Sequence, residues 1–207
     1  MTEPTDMNNV PVAPEYENME GLVRFRNILD KYITLPGLNL GCGITPIQGW
    51  VNADLYNNPD VRFDMRESWP LENNSFDTIY AGHVLEHFTG EEIFHIFWEA
   101  GRVLRPGGNF IGVTPYGYSD MQFSTLHHKT PWLPGTVDCV TEELYTRDDT
   151  FQGMTQGVSH RNWKKLLCVA KVDYPFNKFP TWLYKFCSLH LLNVHSELIF
   201  VLTLEDK

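Results

Sequence analysis

Apolar residues fall at helical spacing over 19–34, where Leu22, Phe25, Ile28, Leu29, Tyr32 and Ile33 make one stripe that Pro36-Gly37 brings to a stop. Short apolar runs between turn signals come next: LNLG at 38–41, WVNADL at 50–55 and VRFD at 61–64, which predict three strands in quick succession. A polar turn at 73–75 leads into a fourth strand over 76–81. Helical spacing returns over 91–104 through Ile93, Phe94, Phe97, Trp98, Val103 and Leu104, with Thr89 as N-cap and Glu91 and Glu92 in the first turn. Pro106-Gly107-Gly108 ends that helix, and NFIGVTP at 109–115 reads as a fifth strand. The later chain predicts a helix over 162–167, a strand over 169–174, an aromatic helix over 181–189 and a strongly apolar last strand over 197–204. The succession strand, helix, strand indicates a parallel sheet covered by helices.

Between 116 and 160 the periodicity dissolves into Pro, Gly, Thr and Asp with scattered aromatics, and a segment so long and irregular is expected to be a lid over an active site, carrying the acceptor side of the chemistry. Residues 1–18 lack the basic start and apolar run of a secretory signal and read as a loose tail, leaving 19–207 as one domain. A net charge of −10 repels polyanions, so nucleic acid is disfavoured as a partner and a small molecule favoured. Four cysteines without a CxxC pair argue against a disulfide framework or a cysteine zinc cluster and point to a reducing, cytoplasmic setting. No window nears the run of about 18 apolar residues that spans a bilayer, so no membrane association is expected. The aromatic run over 174–192 has few cations and is assigned to the core rather than to a membrane surface. Monomer and homodimer both stay open.

Chemistry gathers around LNLGCGITPIQGWVNADL. Gly41 and Gly43 can take positive φ and bring backbone N–H groups close to a ligand, yet the third glycine of the dinucleotide fingerprint is absent and Pro46 makes 44–49 a poor start for a phosphate-holding helix. A GxG pair alone is a weak signal. Asp54 ends the second strand, where a carboxylate can accept from both ribose hydroxyls, and Asp64 ends the third, where it can take an adenine amine beside the Met65 backbone. Two acids at successive strand tips, without a lysine or arginine in the glycine loop, favour an adenosine ligand that carries no phosphate.

With those residues in place, LNLGCG, GWVNADL, FDM, WPLENNSFDTIYAGHVLEHF and EAGRVLRPGGNFIGVTP together resemble the class I S-adenosylmethionine-dependent methyltransferases, in particular small stand-alone members found beside sugar-processing enzymes. The likeness runs over 38–115. It implies a Rossmann-like α/β three-layer sandwich, with a seven-stranded mostly parallel sheet whose last strand is antiparallel and pairs with the sixth. It implies S-adenosylmethionine as cofactor. Residue by residue, Gly41, Cys42 and Gly43 correspond to the methionine side, Asp54 with Leu55 to the ribose, Asp64 and Met65 to the adenine, and Ala81-Gly82-His83 to the sulfonium end. Asn39 stands where many members have an acid facing the cofactor amine. STLHHKTPW resembles a histidine segment after strand five, which brings His128 near the acceptor.

Candidate catalytic groups are His83, His128 and Tyr116, each able to deprotonate or line the acceptor; His87 fits a positioning role and His127 a solvent-facing one. The i, i+4 spacing of His83 and His87 also suits a metal, but Val84 stands where a zinc protease needs glutamate, and no metal is expected. Methyl transfer is an in-line displacement that requires mainly positioning and exclusion of water, so a base is needed only where the acceptor must lose a proton. The expected reaction is O- or N-methylation of a small-molecule or sugar-type acceptor. Rivals have visible requirements: an amino-type nucleic-acid methyltransferase would carry an Asn/Asp-Pro-Pro-aromatic motif where YAGHVLEH stands, and a nicotinamide dehydrogenase would complete GxGxxG. A non-catalytic relative that binds cofactor or a protein partner is the alternative from outside the enzymes.

Overall fold

Strand β1 (Gly37–Leu40) is buried at every position, as expected of a central parallel strand covered on both faces. The computed structural model describes residues 29–141, 162–172, 178, 180–190 and 194–205. Further strands are β2 (Val51–Asp54), β3 (Val61–Arg62), β4 (Phe76–Gly82), β5 (Leu104–Pro115), β6 (Trp163–Val172) and β7 (His195–Leu204). They form one seven-stranded sheet in the order β3-β2-β1-β4-β5-β7-β6. The pairs from β3 through β5 are parallel, and β7 runs antiparallel to both β5 and β6, so the mostly parallel sheet with a reversed last strand is as the sequence predicts. β1 lies between β2 and β4, so the chain leaves the middle of the sheet in both directions, and a crevice is expected at the carboxyl ends of β1 and β4.

Helix α1 (Gly90–Val103) begins with the predicted cap: the Thr89 hydroxyl accepts from the Glu92 N–H at 3.4 Å, and the Glu92 carboxylate accepts from the Thr89 N–H at 2.7 Å. Its buried face carries Ile93, Ile96, Phe97, Ala100 and Val103. Phe97 packs on Phe110 of β5 with ring centroids 4.7 Å apart and meets Trp163 of β6 edge-on at 5.8 Å. Phe200 of β7 stacks on Trp132 at 5.2 Å and lies over Gly112, where a Cβ would come within 2.1 Å of its ring. Smaller helices are α2 (Asp120–Phe123), α3 (Pro134–Asp138) and α4 (Thr181–His190).

The helix expected over 162–167 is not formed: 163–167 belongs to strand β6. Trp163, Leu166, Leu167 and Ala170 happen to fall at i, i+3, i+4 and i+7. The cause is a bulge: Lys165 pairs with Leu202 and Leu167 with the next residue, Val201, so Leu166 is an extra residue that breaks the period of two. The aromatic helix over 181–189 is present as α4, but Trp182 stands 71% exposed instead of joining the core, while Cys187 is buried. The tail, most of the helix expected over 19–34, and 142–160 of the expected lid lie outside the described residues. Among the described residues no helix is long and apolar enough to cross a membrane.

A second buried feature ties the polar segment before β4 to α1. Arg102 donates from Nε and Nη2 to Glu99, from Nη2 to the Trp69 carbonyl, and from Nη1 to the Leu71 carbonyl and Asn73 Oδ1, which uses all five guanidinium N–H groups. Glu99 is 2% exposed and also accepts from the Trp69 N–H at 2.8 Å. Burial works against the Glu99 charge, but Arg102 and the Trp69 N–H outweigh it and hold the carboxyl below the usual glutamate range.

Candidate active site at the carboxyl ends of the strands

The connection from β1 to β2, residues 41–50, contains turns and no helix, as the missing third glycine and Pro46 foretell. Two asparagines give it shape. Asn39 of β1 pairs in register with Asn52 of β2 and donates from Nδ2 to Asn52 Oδ1 at 2.9 Å and to the Thr45 carbonyl at 3.3 Å. Asn52 Oδ1 accepts from the Ile47 N–H at 2.7 Å, and its Nδ2 donates to the Ile47 carbonyl, so the loop is folded down onto the sheet by its own strand residues. Asn39 is 3% exposed.

The glycine turn is strapped to β2. The N–H groups of Gly41 and Cys42 donate to the Ala53 carbonyl, and that of Gly43 donates to Asp54 Oδ2 at 2.9 Å. Asp54 Oδ1 accepts from the Tyr56 N–H at 2.7 Å. Two acceptor sites of the carboxylate are then engaged, leaving room for further donors. Gly41 has φ +71° and sits where a Cβ would lie 2.4 Å from Val84 Cγ2 and 3.1 Å from Met65 Cε, so three strand ends converge on a residue that must be glycine. Gly43, with φ +52°, has open space where its Cβ would be. Burial, assisted by the Asp54 and Asp60 charges, pushes the Cys42 thiol up from its ordinary value.

Beyond β3, Asp64 is gripped by Arg66 through Nε at 2.9 and 3.1 Å, and it also accepts from the Arg66 N–H at 2.9 Å. That hydrogen bonding holds the Asp64 carboxyl below its ordinary range. Met65 is buried, with its carbonyl accepting from Trp69 Nε1, and the Leu55 carbonyl accepts from Arg62 Nη1.

His83, just past β4, has φ +51°, an uncommon backbone state for a residue other than glycine and one often found at functional turns. Its Nε2 lies 2.9 Å from Glu197 Oε1 of β7 and its Nδ1 3.6 Å from Glu86 Oε1. A carboxylate oxygen only accepts, so Nε2 donates to Glu197, while Glu86 adds its negative charge from 3.6 Å on the Nδ1 side. Burial opposes a charged ring, but the contacts with Glu197 and Glu86 and their negative charges prevail and lift the pKa to about 9. His83 therefore carries its proton at neutral pH.

Glu86 and His87 belong to a single 3-10 turn, Leu85–His87, that follows β4. The Glu86 carbonyl accepts from the N–H groups of Lys129 at 2.7 Å and Thr130 at 3.2 Å, which brings the 127–130 segment against the turn. His128 is consequently close: its Nε2 is 4.0 Å from Glu86 Oε1, and its ring meets that of His87 at 4.9 Å between centroids. His127 is exposed. Tyr116, one residue past β5, packs on His195 at 4.7 Å, and its N–H donates to the Ser196 carbonyl.

Met65 and Val84 thus meet at Gly41, with Asp54 on the neighbouring Gly43 N–H, and His83 and His128 meet around Glu86, two residues from Val84. Sequence reasoning missed Glu197, Glu86, Asn52 and Arg66 as partners. Glu197 left one trace, an acid at the head of an otherwise apolar strand.

Residues 38–112 match the family model described as a methyltransferase domain. The match covers less than half of the chain, and together with the fold it supports a class I, S-adenosylmethionine-dependent methyltransferase. Comparison with curated proteins found no match. Among solved structures it is similar to an S-adenosylmethionine-dependent methyltransferase from Archaeoglobus fulgidus, 15% identical, covering 87% of this chain and 91% of that one with a TM-score of 0.52. It is similar to the Burkholderia thailandensis 1,6-didemethyltoxoflavin N1-methyltransferase, solved with 1,6-didemethyltoxoflavin and S-adenosylhomocysteine bound, at 14% identity, 93% and 82% coverage and TM-score 0.54. The cyclase SpnF is equally similar in shape, at 10% identity, 89% and 81% coverage and TM-score 0.54. At such identities the structures establish a shared methyltransferase fold, and one of them belongs to a cyclase.

Proposed function

We propose that this methyltransferase moves a methyl group from S-adenosylmethionine to a hydroxyl or amine of a small-molecule acceptor, sugars included. The observation that carries the reading is the convergence on Gly41 of the loop after β1, Met65 and Val84, with Asp54 holding the Gly43 N–H beside them. That crevice suits an adenosine bearing an amino acid: Gly41–Gly43 offer a close backbone approach to the methionine side, Asp54 beside Leu55 keeps acceptor capacity for ribose hydroxyls, and Met65 supplies an apolar wall for the base. Asp64 reaches an adenine amine with the lone pairs that Arg66 leaves, and Asn39 acts from below by fixing the loop.

S-adenosylmethionine supplies an electrophilic methyl on a positively charged sulfur. The chain's own residues position the acceptor and manage its proton. His83, already protonated and fixed by Glu197 and Glu86, is a hydrogen-bond donor and not a proton acceptor. His128 is the group that can take a proton: its Nδ1 is 3.0 Å from the Gln122 carbonyl, so that nitrogen carries the hydrogen and Nε2 is left with the lone pair. Tyr116 lines the acceptor side. Because a cyclase shares the fold, the test must read the methyl group itself. Incubation with methyl-labelled S-adenosylmethionine and a panel of small hydroxyl and amine acceptors is expected to move label into at least one acceptor with release of S-adenosylhomocysteine. Tight cofactor binding without label transfer to any acceptor would instead support a non-catalytic role.

A further inference from the structure

We infer that Glu86, His87 and His128 form a binding site for a divalent transition cation, with zinc the best match. One ligand atom from each lies within 4.8 Å of the other two. Two imidazoles and a carboxylate are a donor set suited to zinc, which commonly takes three protein ligands and leaves one position open in catalytic sites.

Several independent features favour a site over a chance grouping. Glu86 is 1% exposed, and its Oε2 has no hydrogen-bond partner, an expensive state for a buried carboxylate that a cation would relieve. Both histidines have Nδ1 against a backbone carbonyl, His128 on Gln122 at 3.0 Å and His87 on His127 at 3.3 Å. A carbonyl can only accept, so both rings are held as the tautomer whose Nε2 lone pair is free, the arrangement that orients metal-bound histidines. The two ligand-bearing segments are fastened to one another through the backbone, by Lys129 and Thr130 on the Glu86 carbonyl and by the Thr130 hydroxyl on the Phe88 carbonyl at 2.7 Å. Lys129 Nζ is directed away, to Glu92 at 3.4 Å, and His83, though 3.6 Å from Glu86 Oε1, makes its shorter contact with Glu197 at 2.9 Å.

Zinc with ligands at about 2.0–2.2 Å holds adjacent donors about 3.5 Å apart, so binding draws these groups inward by about 1 Å. The open coordination position would accept an oxygen of the acceptor. A hydroxyl held there becomes more acidic; its O–H bond breaks with the electron pair remaining on oxygen and the proton passing to bulk water. Binding of the cation does not depend on the methyltransferase reading; only this role for it does. His128 Nε2 cannot be both ligand and proton acceptor, so the experiment also decides between those roles.

The test uses the full chain, stripped with chelator and titrated with Zn2+ by calorimetry and with Co2+ by visible absorption. Expected are one equivalent per chain, cobalt d–d bands without the thiolate charge-transfer absorption of a cysteine site, and at least tenfold weaker binding in His128→Ala and in His87→Ala. S-adenosylhomocysteine binding is measured on the same samples, and its retention in both variants shows that they are folded. No stoichiometric Zn2+ binding to the wild-type chain, or binding unchanged in both variants, overturns the site. Zinc binding without S-adenosylhomocysteine binding would leave the site standing and remove the cofactor reading.

Discussion

Arg102→Ala is expected to destabilise the protein by about 3–5 kcal/mol, the scale for removing one partner of a buried ion pair. The substitution strips Glu99, 2% exposed, of two charge-assisted hydrogen bonds and leaves the Trp69 and Leu71 carbonyls and Asn73 without their donor. In a domain of this size the loss corresponds to a fall in Tm of roughly 6–20 °C. Arg102→Lys should recover only part of it, because an ammonium cannot reproduce the five-donor fork. The pH dependence has a definite sign. The Glu99 carboxyl is held below its ordinary value in the folded chain, so its contribution is present above the ordinary glutamate range and is lost as pH falls through the lowered folded value. The gap between wild type and Arg102→Ala should therefore be widest near neutrality and narrow in acid, where protonation relieves the stranded charge. Urea unfolding across pH measures this, and a gap under 1 kcal/mol at neutral pH would show that the clamp contributes little.

Asp54→Ala is expected to weaken S-adenosylhomocysteine binding by about 1.5–3 kcal/mol, roughly 10- to 150-fold in Kd, the scale of hydrogen bonds to a charged group. Two losses act together: the proposed acceptors of the ribose hydroxyls disappear, and the Gly43 N–H loses the partner that sets the turn. Asp54→Asn separates them. Its amide oxygen can still accept from the Gly43 N–H, so it should bind between wild type and alanine. An unchanged Kd in Asp54→Ala would place the ribose elsewhere.

The parallel half of the sheet was readable because strands buried on both faces must be continuously apolar and turn residues must separate them, as LNLG and NFIGVTP show. Helix α1 was readable from its cap, since Thr89 and Glu92 interact with neighbours only three residues apart. β6 was not, because the bulge at Leu166 imposes a spacing that local pattern cannot distinguish from a helix. The site divides in the same way. Gly41, Gly43 and Asp54 could be found because backbone conformation and strand ends restrict which residues occupy them. The partners of His83 and His128 could not: Glu197 reaches His83 only after β7 inserts beside β5, and His128 meets Glu86 only through backbone bonds from the segment that follows α2. Arg66, two residues from Asp64, was within local reach, since the pair is a contact between near neighbours in sequence.

The crevice around Gly41 is the proposed site of the methyl donor. Isothermal titration of the full chain with S-adenosylhomocysteine, with NAD as the competing adenosine ligand, tests it most directly. Saturable one-to-one binding of S-adenosylhomocysteine, weakened in Asp54→Ala and absent for NAD, is the predicted result. No heat with S-adenosylhomocysteine or S-adenosylmethionine, together with binding of NAD, would contradict the account.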